Sequence, residues 1–195
     1  MLVLAGCGSG ERQDANESAG NYKVEVTRLS FPKQQRLAQV SELVVGVRNA
    51  GDQTIPNVAV TVHGFNYRKQ AEGTQLSDPS RPQFAVNGVN TEIGGFPEVK
   101  DATPKGCDTA YLDTWACGPL KPGREKTFRW SVTAVKAGPF KLTWRVSGGL
   151  DGKARAISVS GGEAVGGTVT GNVSAKPPQV KIGADGKTVV EAEPR

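Results

Sequence analysis

The side chains able to do chemistry are few, and most lie between residues 96 and 117. Phe96, Asp108, Tyr111, Asp113 and Trp115 form a candidate binding face, since aromatic rings stack on sugars and carboxylates accept sugar hydroxyls. The alternative is that Tyr111 and Trp115 point inwards and anchor a core. Cys107 and Cys117 bracket the same stretch. His63 is the only histidine. A catalytic triad needs a nucleophile and a carboxylate brought to such a histidine, and no G-x-S-x-G elbow exists to present one. Asp108 and Asp113 are the nearest thing to the paired acids of glycoside hydrolysis. Two cysteines and the distant His63 do not make a zinc set. Asp78, Asp101, Asp108 and Asp113 lack the spacing of a calcium loop. The sequence therefore points to no catalytic residue, no metal and no cofactor, and the expectation is a protein that is not an enzyme.

The elements that must position these residues are written in period two. Tyr22–Leu29, Glu42–Arg48, Asn57–Tyr67, Thr127–Val135 and Phe140–Val146 alternate apolar with polar, as half-buried strands do. Val58, Val60 and Val62 face one way; Ala59, Thr61 and His63 face the other. Phe128, Trp130 and Val132 share a face, as do Phe140, Leu142, Trp144 and Val146. A last pair covers about Ala154–Val159 and Thr168–Ser174, joined by the Gly-rich Ser160–Gly167. Turn clusters punctuate the strands at Asn49–Asp52, Pro122-Gly123 and Ala137–Pro139. The fold class is all-β, a single antiparallel sandwich or barrel.

Two stretches fall outside the pattern. Lys69–Gly106 reads as a long inserted loop with one weak strand at Gln83–Val86. Lys176–Arg195 reads as a polar tail with a turn at Asp185-Gly186, expected to be disordered although Val189-Val190 allows weak pairing. With 195 residues, one domain is the default. The expected divisions are residues 1–7 as a signal remnant, 8–21 as a flexible tether, 22–175 as the sandwich and 176–195 as the tail. The net charge of +5 comes from scattered basic residues. No helical recognition element accompanies them, so nucleic acid is a poor partner.

Leu4-Ala5-Gly6-Cys7 resembles the lipobox of bacterial lipoproteins. In that motif an apolar stretch enters the membrane, small residues fit a peptidase, and the cysteine thiol takes a diacylglycerol. Two acyl chains give stable anchoring where one gives marginal binding. Only Met1–Gly6 precede Cys7, so the true start is expected upstream. Gly8–Gly20 is polar, Gly/Ser-rich and free of aromatics, the composition of a flexible tether. Acylating Cys7 leaves Cys107 and Cys117 as an even pair. In an oxidising exported setting that parity favours a disulfide. A straight strand over Thr109–Trp115 would span about 23 Å, whereas bonded cysteines need Cα atoms within about 7 Å. The segment is then either bent and disulfide-bonded or straight with free thiols; the bent form is the expectation.

Val47-Arg48-Asn49-Ala50-Gly51, Pro122-Gly123 and Ala137-Gly138-Pro139-Phe140 resemble the turn punctuation of immunoglobulin-like modules of the CARDB type, found in bacterial surface proteins. The resemblance covers roughly 120 residues and departs at the long insert. It implies an immunoglobulin-like sandwich used for adhesion or interaction at a cell surface. The combined expectation is a lipid-anchored, extracytoplasmic interaction module. Its partner is a surface protein or a polysaccharide, with carbohydrate or wall-polymer binding as the alternative function.

Overall fold

Strict alternation of apolar and polar residues becomes two facing sheets in the computed structural model, which describes residue 14 and residues 17–65, 82–87, 107–111, 113–177 and 180–191. Cys7, Phe96 and most of the long insert lie outside the described residues. Among the described residues the strands are β1 (Gly20–Ser30), β2 (Gln34–Arg36), β3 (Val40–Asn49), β4 (Ala59–His63), β5 (Phe84–Val86), β6 (Asp108–Tyr111), β7 (Thr114–Ala116), β8 (Glu125–Ala134), β9 (Gly138–Ser147), β10 (Ala154–Ser158), β11 (Gly166–Ser174), β12 (Val180–Ile182) and β13 (Val189–Glu191). A five-stranded sheet runs β10-β1-β3-β8-β5, and a six-stranded sheet runs β2-β11-β9-β4-β7-β6. No helix of the described residues is long and apolar enough to cross a membrane.

The sandwich is not wholly antiparallel as expected. β1 pairs with β10 in parallel, and β2 pairs with β11 in parallel. Parallel neighbours need long crossovers, and the chain supplies them because these partners are far apart in sequence. The three-residue β2 escaped the sequence reading because it is too short to show a period. The sandwich is also engaged before residue 22. Glu17 Oε2 accepts from the amides of Leu150 (2.6 Å) and Asp151 (3.2 Å), and the Gly20 amide donates to Lys153 O.

The inward faces are those the alternation names. Val58, Val60, Val62, Phe128, Trp130 and Val132 are fully buried, and Phe140, Leu142, Trp144 and Val146 nearly so. β4 also buries Ala59 and Thr61 on its other face. Phe31, Phe65, Phe84 and Phe140 pack edge to face, with centroids 5.1–6.4 Å apart, a favoured aromatic geometry. On β11 the core-facing positions alternate valine with glycine. Gly167 stands opposite Trp144 and Gly171 opposite Phe140. A Cβ on Gly171 would lie 2.5 Å from the Phe140 ring and 2.1 Å from Lys33 O, so the absent side chain is what admits the ring.

The two turn motifs meet. Asn49 is fully buried. Its Nδ2 donates to Gln53 O and Leu120 O, both at 2.8 Å, and its Oδ1 accepts from the Gly51 amide at 3.0 Å. The Gly123 amide of the Pro-Gly turn donates to Asn49 O. Gly123 has φ +69°, a conformation costly for side chains with a Cβ.

The tail differs from the expected disorder. β12 and β13 form a hairpin closed at the expected Asp185-Gly186 turn. Asp185 Oδ1 accepts from the amides of Lys187 and Thr188, and Asp185 Oδ2 accepts from the Thr188 hydroxyl. These bonds, that from the Thr188 hydroxyl first, lower the Asp185 carboxyl to a pKa of about 2. Local turn chemistry thus orders a segment whose composition reads as a tail.

Candidate functional site

The stretch expected to be bent is a β-hairpin. Asp108 pairs with Ala116 and Thr109 with Trp115; the register then shifts, so that Tyr111 pairs with Thr114. Turning the chain within Asp108–Ala116 returns residue 117 to residue 107. Cys107 and Cys117 form a disulfide with Cα atoms 4.1 Å apart. The tension between strand length and disulfide reach is resolved by the fold-back.

The candidate face divides. Trp115 does not belong to it: the side chain is 1% exposed and packs edge to face on Trp130, with centroids 5.4 Å apart. Its parity explains this, because Trp115 pairs with Val60 on the core side of β4. A stacking platform for sugars loses its central ring. Asp108 and Tyr111 sit on β6, an edge strand of the six-stranded sheet. Phe96 lies outside the described residues.

Asp113 does reach the surface, at the turn between β6 and β7, where His63 Nδ1–H donates to Asp113 Oδ2 at 3.4 Å. Beside it the hydroxyls of Thr61 and Thr114 bond at 2.7 Å. Burial pushes the Asp113 carboxyl above its ordinary pKa, and the His63 hydrogen bond and charge partly offset that. The His63 side chain is 67% exposed. Among the described residues the hydrogen bond of His63 is to the Asp113 carboxylate, which orients the imidazole. No cluster of three or more His, Cys, Asp or Glu among the described residues is arranged to hold a metal.

On the five-stranded sheet Arg48 pairs with Glu25 and Arg129 with Glu42. On the six-stranded sheet β9 presents Lys141, Thr143 and Arg145, all exposed, beside Thr170, Thr168 and Gly166 of β11. Neither Lys141 nor Arg145 has a carboxylate partner among the described residues. These side chains were not singled out from the sequence. Their signal is the polar half of Phe140–Val146, whose apolar half was read as core.

Two packed sheets around a buried tryptophan pair define an all-β sandwich. The chain matches no family model and no curated protein. Among solved structures it is similar to a CARDB domain from Pyrococcus furiosus, crystallised with di-metal ions. Identity is 14%, coverage is 79% of this chain and 93% of that one, and the TM-score is 0.43. It is similar to alpha-2-macroglobulin from Escherichia coli, spanning domain MG7 to the C-terminus. There identity is 15%, coverage is 87% of this chain and 21% of that one, and the TM-score is 0.43. It is also similar to a cohesin module from a Clostridium perfringens family 33 glycoside hydrolase. That match has 10% identity, 80% and 98% coverage, and a TM-score of 0.41. Scores of this size assign neither a family nor a function to this chain.

Proposed function

We propose that this chain is a non-catalytic interaction module, held at the outer side of a cell membrane by a lipid on Cys7. It contacts a surface protein or polysaccharide through the outer face of the six-stranded sheet. The observation that carries the reading is the row of basic and hydroxyl side chains on the outer face of the six-stranded sheet. Arg48 and Arg129 of the five-stranded sheet are paired with Glu25 and Glu42. Lys141 and Arg145 stand among threonine hydroxyls with no such partner, and polar groups left unpaired on a sheet face remain available to a ligand. The face continues through His63 towards β6, which carries Asp108 and Tyr111. The disulfide supports an exported setting, since such bonds persist in oxidising compartments. The Leu4–Cys7 motif supports the anchor. The carbohydrate alternative retains hydroxyl and cation contacts but not the Trp115 stack.

Photo-crosslinking in cells tests the face. A benzophenone residue at Thr143 should capture a defined partner, and one at Thr127 on the opposite sheet should not. Equal capture at both positions, or capture only at Thr127, overturns the reading. A protein adduct and retention on glycan material distinguish the two partner classes. The anchor has its own test: Cys7→Ala should move the chain from the membrane to the soluble fraction.

A further inference from the structure

Beyond the outer face, a cleft of about 430 Å³ opens between the end of β9 and strand β10. Arg145 and Ser147 line it from β9, Arg155 from β10, and Asn21 from β1. Gly152 and Gly162, in the flanking turns, complete its mouth. Arg155 and Asn21 are register partners across the parallel β1–β10 pair, so their positions are set by the sheet. Arg145 is held in the middle of a sheet, between β11 and β4.

Three features make this cleft unlike the rest of the surface. Two arginine residues, each permanently charged, line one cavity. No carboxylate lines it; Glu163, next to Gly162 in sequence, is not among its walls. The side chains of Arg145, Arg155, Asn21 and Ser147 have no ion-pair or hydrogen-bond partner among the described residues. Guanidinium groups hold carboxylate and phosphate oxygens through paired N–H donors. The amide of Asn21 and the hydroxyl of Ser147 add neutral donors. The volume falls in the range of small-molecule sites.

We propose that the Arg145–Arg155 cleft binds the oxyanion group of a small ligand, a carboxylate or a phosphate, with both arginines contacting the same group. The site does not depend on the anchor or on a crosslinked partner, because the isolated chain binds the oxyanion by itself.

Amide-resolved NMR titration of the full chain tests it. One arm uses inorganic phosphate and the other galacturonate, each at constant ionic strength so that screening is equal. Saturable shifts confined to the amides of residues 145–147, 154–157 and 162 are expected in at least one arm. Saturation by phosphate alone identifies a phosphoryl ligand, and by galacturonate alone an organic acid. Arg155→Gln and Arg145→Gln should each weaken binding by about tenfold, the loss of a charge-assisted contact. Lys121→Gln removes a positive charge outside the cleft and should leave affinity unchanged. A folded spectrum for each variant shows that the loss is local. Shifts that never saturate in either arm, or Lys121→Gln weakening binding as much as Arg155→Gln, overturn the proposal.

Discussion

Asn49 Nδ2 donates to the main-chain oxygen of Leu120 across 71 residues of sequence, at 2.8 Å in the buried interior. The same amide group holds Gln53 O, and its oxygen takes the Gly51 amide. One side chain therefore shapes the turn after β3 and ties it to the segment entering β8. Removing it strands buried main-chain groups, each costing about 1–3 kcal/mol. Asn49→Ala should destabilise the chain by about 3 kcal/mol in urea unfolding. A loss below about 1 kcal/mol would show that these bonds are replaced by water.

Gly171 gives a steric prediction. Its missing side chain admits the Phe140 ring, and the nearest obstacle to a Cβ is the Lys33 carbonyl, which cannot rotate away. Gly171→Ala should cost about 2 kcal/mol or more by overpacking. Gly167→Ala, where the nearest atoms belong to the Trp144 ring at 3.2 Å, should cost less. Paired thermal melts give the order, and a reversed order would contradict the described packing.

The disulfide closes a short hairpin. Replacing both Cys107 and Cys117 by alanine should cost about 2–3 kcal/mol by the loop-entropy account. Denaturant unfolding of the oxidised protein, the reduced protein and the double variant measures it. In the non-reduced, denatured chain neither cysteine should react with a thiol reagent.

Asp113 gives a pH dependence. Its folded pKa lies above the ordinary 3.8 because burial outweighs the help of His63. The folded state therefore holds this proton more tightly than the unfolded chain does. The contribution of Asp113 to stability is greatest below its unfolded pKa and declines as pH rises through the folded one. Asp113→Asn removes that dependence, so the variant should gain on wild type as pH rises from below 3.8 through the folded pKa of Asp113. His63→Ala should raise the Asp113 pKa further, read from its carboxyl carbon shift by NMR. A fall in that pKa would mean that His63 is not its partner.

Strand content was legible because period two survives in side chains. Val58, Val60 and Val62, or Phe128, Trp130 and Val132, declare their face without help from the rest of the chain. Hairpin β12–β13 was not legible, because its stability comes from three bonds to one carboxylate rather than from burial. Of the candidate face, Trp115 turned inwards because pairing with Val60 gave it core parity, and Asp113 sits half-buried at the turn between β6 and β7.

By itself the sequence determined the long strands, their inward faces, the turns at Asn49–Asp52 and Pro122-Gly123, and the cysteine pair, since local sterics and hydrophobic periodicity act within a few residues. Only the tertiary structure decided that β1 and β10 run parallel and that Asn49 reaches Leu120. It also decided that Arg145 and Arg155 share a cleft, and that Cys107 meets Cys117 through a fold-back. Those outcomes depend on which strand edges find each other across long separations. That choice is made by the packing of two sheets against one another, and no local pattern encodes it.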